Sequence, residues 1–412
     1  MKGIYYDLKI RKAVLKKIGL ATKFSMIKYR EDWPEPEIKF PRQVKVKTLM
    51  SGICASDLHQ IDVNLSYAAS ILARKENPFP MGHELVGEVI EIGSEVEHLK
   101  PGDRVVMSPI AHCKAYGFEK CPSCEAGDYQ TCYALVGIGD GSELEETYGG
   151  RLGFGGFAGG GFSERFLAFE GQLTKVPFEI PDEIAILAEP YSVGIHAVLK
   201  KLPKDTDTVV VTGAGIIGLM IIAAIRALGS KCKIITLARY QVQVEAAIKL
   251  GSDKVLTERS RDTLYEEIAK LTDGELFKPA LGRKILYGNK GPDIVFDSVG
   301  SEVTIDDAFR FVRTNGTVII VGMALGAMKK VDWMLQVYKE LDVLGSMMHG
   351  LEEFQGESLD TFILATRFLN ENQSLYENLV THKFRVDEYK KAFDVASNKG
   401  KYAAIKIAFD YR

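Results

Sequence analysis

The chain predicts an α/β fold, a doubly wound parallel sheet joined to a second domain with strand character at both ends of the chain. Three observations lead there. A β-branched run opens through closely spaced glycines into an apolar helix at 208–225. Strand and helix patterns then alternate to about residue 343, as a parallel sheet with crossover helices requires. Strand-like alternation also occurs near the start (Met1–Lys9) and near the end (His382–Asp387 and Lys401–Phe409). At 412 residues the chain is too long for one ordinary core, which argues for two domains.

The first element of the sheet is Thr208-Val-Val-Val-Thr212, which runs into Gly213-x-Gly215-x-x-Gly218 with Ile217 on the first helical turn. Glycines at this spacing allow a sharp turn, admit a pyrophosphate against bare amides and bring the helix onto its strand. The anion then sits on the helix N-terminus, where unpaired N–H groups and the helix dipole favour it. Strand before and helix after are the context that makes the motif a dinucleotide site. A transmembrane span is the alternative for so uncharged a run, but three glycines and Arg226 make it a poor one.

Lys233–Leu237 predicts the second strand, Val242–Leu250 an amphipathic helix, Val255-Leu256 a third strand and Asp262–Leu271 another helix. Asp293–Gly300 and Gly316–Gly322 complete the pattern, with the ligand crevice at the strand C-termini. NAD sites place an acid at the end of the second strand for the adenosine ribose. Here that position is Ala238, followed by Arg239 and Tyr240. Loss of the acid and gain of a guanidinium fork favour NADP(H) over NAD(H). The alternative makes Arg239 a solvated helix-start residue, with another group holding an NAD ribose.

Hydrophobic residues at 46%, charged residues at 26% and a net charge of −3 describe an enzyme-like surface, with nothing basic enough for nucleic acid and no membrane segment. The N-terminus reads as a strand and not as a signal peptide. Six cysteines are too few for a disulfide framework, and four of them cluster, which in a reducing cytoplasmic setting points to metal.

Three further segments carry chemistry: Ser51-Gly-Ile-Cys54-Ala-Ser56-Asp57-Leu-His59, Met81-Gly-His83-Glu84 and Ala188-Glu189-Pro190. With the glycine motif downstream they resemble the zinc-dependent alcohol dehydrogenases of the medium-chain dehydrogenase/reductase superfamily. Glu189-Pro-Tyr-Ser-Val-Gly-Ile-His is most similar to the polyol, sorbitol and threonine dehydrogenase branch. The resemblance covers nearly the whole chain. It implies a GroES-like distorted antiparallel β-barrel as catalytic domain (1–193 and 344–412), a Rossmann domain (194–343), nicotinamide and zinc in the cleft between them, and a homodimer or homotetramer. Val318–Val321 and Asp342–Leu344 are the expected edges for pairing between subunits.

Zinc prefers thiolate, imidazole and carboxylate, and catalytic sites keep three protein ligands and one open position. Cys54, His83 and Glu189 supply such a set, and their two negative charges cancel the metal's. Glu84 is expected to be at most a transient ligand or to stand behind the others. Asp57 is a candidate acceptor for the free ring N–H of His83, and otherwise a helix-capping residue. Ser56 and His59 suggest a path by which the alcohol proton reaches solvent, as the resemblance also implies. Cys113, Cys121, Cys124 and Cys132 form a second candidate, closing a structural site of four thiolates, so about two Zn2+ per chain are expected. Family members usually carry a cysteine where Phe118 stands; Cys113 lies five residues earlier, so 114–120 must bulge. His112 is expected to be exposed.

The favoured function is a zinc-dependent oxidoreductase for a small-molecule secondary alcohol (polyol, cyclitol, sugar or amino alcohol). The alternatives are a zinc-free NADPH-dependent enone or quinone reductase of the same superfamily and a non-catalytic nucleotide-binding protein. The glycine-rich stretch 149–161 either shapes the pocket mouth or is a plain loop, and the insertion 274–291 carries no recognisable chemistry.

Overall fold

Apolar strands with short helical crossovers assemble a parallel sheet in the middle of the chain. The computed structural model describes residues 1–7, 9–63, 78–133, 160–257, 260–323 and 328–412, so most of the 149–161 stretch lies outside the described residues. Two compact units result: Met1–Glu189 with His349–Arg412, and Pro190–Met348.

The central unit holds six parallel strands in the spatial order Lys254–Leu256, Lys233–Leu237, Thr208–Thr212, Ile294–Asp297, Thr317–Ile320, Asp342–Gly345. Numbered along the chain this is 3-2-1-4-5-6, the doubly wound order with its reversal beside the Thr208–Thr212 strand. Val210, Ile235, Val295 and Val318 from the strands pack with Leu264, Ile268, Ile305 and Phe309 from the helices, which is why the strands read as near-continuous apolar runs. Because Asp342–Gly345 is a strand of this sheet, the chain leaves the unit after Met348 and not at residue 343. The Val318 segment is interior, paired on both sides, so the expectation that it forms an exposed edge is corrected; of the two segments only Asp342–Gly345 is an edge.

The 274–291 insertion is an antiparallel hairpin, Glu275–Phe277 with Ile285–Tyr287. Arg283 anchors it by bonding Asp307 at 2.8 Å and the buried Asp306 on the helix Glu302–Phe311. Lys339, fully buried, donates to the carbonyls of Phe309 and Arg310 at 2.9 and 3.1 Å and to that of Val312, closing the C-terminus of the same helix.

The other unit is built on a seven-stranded sheet in the order Val380–Phe384, Lys406–Asp410, Gln43–Gly52, Glu84–Ile92, Arg104–Met107, Leu173–Lys175, with Arg165–Phe169 also paired to Gln43–Gly52. All pairs are antiparallel except Val380–Phe384 with Lys406–Asp410. Val44, Val46, Leu85, Val89, Val105, Met107 and Phe166 fill its core. Two register shifts bend the long Gln43–Gly52 strand against its partner, which distorts the sheet. At the tail, the expected strand from Lys401 is corrected: Lys399–Tyr402 is a helical turn ending at Ala403, whose φ is 49°, and the strand starts at Lys406. The N-terminal strand is Gly3–Tyr6, and a helix not foreseen from the sequence follows it, Ile10–Lys17.

Candidate active site

The sharp return from strand to helix at residue 54 sets up the site. Cys54 is the N-cap of the helix Ala55–Asp62, and its backbone N–H donates to the Asp57 carboxylate at 2.9 Å. Asp57 is thereby committed to the helix start. Its carboxylate lies 3.9 Å from His83 Nδ1, beyond hydrogen-bond length, so it acts on that ring by charge. Ser56, also buried, places Oγ 3.5 Å from His83 Nε2. His59 lies one turn further along and is half-buried; burial lowers its pKa, which keeps the ring neutral near pH 7.

His83 immediately precedes the Glu84–Ile92 strand and Glu84 opens it, both nearly fully buried. The Cys54 thiol, a His83 ring nitrogen and a Glu84 oxygen lie within 4.8 Å of one another. Glu189 is not part of that close group. It sits in the first turn of the helix Ala188–Lys200, buried, where the His83 ring acts electrostatically on its carboxyl. Burial raises the pKa of Cys54, Asp57 and Glu189 alike. The partly buried Cys54 thiol and the buried carboxyls of Asp57 and Glu189 would each need a cation nearby to stay ionised.

The residue missed in the sequence is Lys406. Its ammonium pairs with Glu84 and donates to the Ile53 carbonyl at 3.2 Å, with both side chains 1% exposed. Burial pulls its pKa down to about 8. The pair crosses directly over Gly52, where an added Cβ would meet the Glu84 carboxylate and the end of the lysine chain and push the pair aside. A lysine inside an otherwise apolar run (Ala404-Ile-Lys406-Ile-Ala-Phe) was the available signal.

The four lobe cysteines do converge. Cys113 and Cys132 sulfurs are 3.6 Å apart and those of Cys121 and Cys132 are 3.9 Å apart, all as free thiols. A tetrahedron of sulfurs about 2.3 Å from a zinc has edges of about 3.8 Å, so the cluster already fits that ion. The extra residues before Cys121 form a helical turn, Cys113–Tyr116, reversed at Gly117 with φ of 78°, which is how Cys113 reaches its partners. His112 is corrected from exposed to buried: its ring stacks on Tyr129 with centroids 4.0 Å apart, and it stands outside the thiol group.

In the central unit, Gly213 has a φ of 89°, Gly215 is the N-cap of the helix Ile216–Ala227 and Ile217 is partly exposed on its first turn. An added Cβ on Gly218 would lie 1.9 Å from the Gly213 carbonyl oxygen. Gly218→Ala should therefore open the turn and weaken nucleotide binding by about a hundredfold or more, read by fluorescence titration with NADPH; unchanged affinity would remove the glycines from the site. Ser298, also missed in the sequence, braces the turn by donating to the Thr212 and Gly213 carbonyls at 2.8 and 3.0 Å. At the end of the Lys233–Leu237 strand, the Gln243 side chain accepts from the N–H groups of Arg239 and Tyr240 and so shapes the loop. Ala238 is partly exposed, Arg239 exposed and Tyr240 the N-cap of the next helix. No helix among the described residues is long and apolar enough to cross a membrane.

Comparison with known proteins agrees with this geometry. Residues 40–178 match the alcohol dehydrogenase GroES-like domain and residues 217–363 match the zinc-binding dehydrogenase family, which together take in more than half of the chain. The sorbitol dehydrogenase of Halalkalibacterium halodurans is 27% identical over 363 residues, covering 88% of this chain and 90% of that protein. The L-idonate 5-dehydrogenase of Vitis vinifera is 28% identical over 373 residues, covering 90% and 88%. Among solved structures, the 2R,3R-butanediol dehydrogenase of Bacillus subtilis superposes with a TM-score of 0.71 at 25% identity, over 100% of this chain and 99% of that one. A doubly wound nucleotide sheet, a thiol–imidazole–carboxylate group and a four-cysteine lobe, found with these matches, place the chain in the zinc-dependent medium-chain dehydrogenase family, as an alcohol oxidoreductase.

Proposed function

We propose that the protein oxidises a secondary alcohol of the polyol, cyclitol, sugar or amino-alcohol class, or reduces the matching ketone, and that it takes NADP(H) in preference to NAD(H). The observation that carries the reaction class is the group of the partly buried Cys54 with the buried His83 and Glu84, with Glu189 beside it and Lys406 paired to Glu84. The names of the sorbitol and L-idonate dehydrogenases support the substrate class.

Charge decides among the carboxylates. Cys54 as thiolate and Glu189 as carboxylate balance a doubly charged ion, while Glu84 is already neutralised by Lys406. Cys54, His83 and Glu189 would then hold zinc, with Glu84 kept back by its lysine as at most a transient ligand. Bound there, zinc would supply Lewis acidity toward the alcohol oxygen, and a nicotinamide would supply the acceptor for the hydride. Ser56, buried beside His83, would take the proton the alcohol loses on Oγ while giving up its own hydroxyl proton along the path toward His59. His59, neutral and half-exposed, passes it to solvent. Asp57 holds the helix start and places a negative charge near the His83 ring. The thiolates of Cys113, Cys121, Cys124 and Cys132 would hold a second, structural zinc. A homodimer or homotetramer would use the Asp342–Gly345 edge.

The cofactor preference rests on Ala238 and Arg239. Without an acid at 238, a 2′-phosphate meets no repulsion, and the exposed guanidinium of Arg239 can reach it with charge-assisted hydrogen bonds worth about 1.5–3 kcal/mol, or roughly tenfold or more in affinity. Tyr240 lies next to it to cover the phosphate or the adenine. Arg239→Ala should erase most of the preference and Ala238→Asp should reverse it. Rates with NADP and NAD across a panel of polyols, sugars and amino alcohols test both halves. Equal efficiency with the two cofactors returns Arg239 to the solvated surface, and no turnover on any member of the panel removes the substrate class.

A further inference from the structure

The helix Ile10–Lys17 has its two faces reversed. Ile10, Val14 and Ile18 lie four residues apart, in one row along the helix and its C-cap, and are 69%, 55% and 61% exposed; Leu15 stands beside them and Leu20, just beyond, is 72% exposed. No residue of the helix is buried. The side turned to the protein carries lysines instead. Lys12 donates to the Ser25 carbonyl at 3.0 Å, and Lys16 donates to the Lys23 carbonyl at 2.7 Å and to that of Ile61, with the Asp62 carboxylate 3.6 Å away. A surface helix ordinarily does the opposite, burying its apolar row and showing its charges. Lysines that hold the helix from beneath leave its aliphatic row facing outward.

The same stretch is locally basic in a chain whose net charge is −3. Residues 9–30 contain eight lysines and arginines and no aspartate or glutamate. Arg11 and Lys17, both exposed, flank the aliphatic row. An apolar row bordered by cations on a short helix lying on a surface matches an anionic lipid interface, where aliphatic side chains enter the acyl boundary and ammonium and guanidinium groups meet the headgroups.

We infer that residues 9–20 form a docking surface for an anionic lipid bilayer, holding this dehydrogenase reversibly at a membrane face. A second copy of the chain fits less well, because a two-fold contact centred on this helix would set the same basic residues against each other. An acidic peptide answers the charge but leaves Ile10, Val14 and Ile18 without an apolar medium. Eight helical residues span only about 12 Å, so binding is expected to be weak and salt-sensitive.

The test is co-sedimentation of the full chain with phosphatidylcholine vesicles, with and without phosphatidylglycerol, at low and high salt. Binding should be about tenfold or more stronger on the anionic vesicles and should fall steeply with salt. The charge variant R11E/K17E and the apolar variant I10S/V14S/I18S should each lose it, while circular dichroism melting and dehydrogenase turnover stay as in the parent. Wild-type protein left in the supernatant with anionic vesicles overturns the inference. So does equal binding to both vesicle types, or anionic binding that survives the apolar variant. Capture on polyglutamate as strong as on vesicles and unaffected by I10S/V14S/I18S assigns the surface to an acidic protein instead. Concentration-dependent dimerisation abolished by that variant, without vesicle binding, assigns it to self-association.

Discussion

Cys54→Ser should lower turnover by about a thousandfold or more while nucleotide binding stays near normal. A Lewis acid contributes several kcal/mol of transition-state stabilisation, and each 1.36 kcal/mol is about tenfold in rate. Serine conserves the volume at the N-cap and leaves the backbone bond to Asp57 in place, so the helix Ala55–Asp62 should still form. The glycines that would take the cofactor belong to the other compact unit and are untouched. Steady-state rates alongside fluorescence titration with NADPH separate the two effects. A variant with a near-normal rate would remove the zinc reaction and leave Cys54 a partly buried structural thiol.

Cys124→Ser should reduce the metal content from about two zincs per chain to about one and lower the melting temperature by several degrees before activity is lost. Four thiolates on one ion close a chelate whose binding energy is part of the folding energy of the lobe. Cys124 is the sharpest choice. It is buried, and its bond to Cys132 and its burial push its pKa far above the usual thiol range, so without a cation the thiolate form is strongly disfavoured. Cys113 is likewise pushed up to about 11, first by burial. Metal analysis by mass spectrometry with calorimetry on the same samples reads both changes. One zinc in the parent chain, with stability indifferent to the substitution, would make the lobe a packed cluster of thiols.

The two expectations differ because the two sites have different surroundings. The lobe sulfurs are already spaced for a tetrahedral ion, and its consequence is stability. Beside Cys54, Glu84 is paired with Lys406, which on the proposed reading leaves Glu189 as the carboxylate for zinc. The sequence leaves the role of Glu84 open because its partner Lys406 lies 322 positions away.

What the sequence determined by itself is local. The period of the apolar residues placed the strands Thr208–Thr212 and Lys233–Leu237 and the helix Gln241–Lys249 after them to within a residue or two. Glycine spacing marked the nucleotide turn, and cysteine spacing marked the lobe, because both kinds of motif act over a few neighbouring residues. Only the tertiary structure decided which elements meet. The Val318 strand alone resembles an edge as much as an interior strand, and it is interior because the chain returns at Asp342 to pair with it. The Met1–Lys9 alternation indicated a strand, but the segment after it became a helix, whose lysines found carbonyls at Ser25, Lys23 and Ile61. Lys406 lies over Gly52 beside Glu84 because three strands remote in sequence come together in one sheet. Periodicity and motif spacing are written into consecutive residues, whereas the partner of a buried charge is set by chain topology, which no short window of sequence contains.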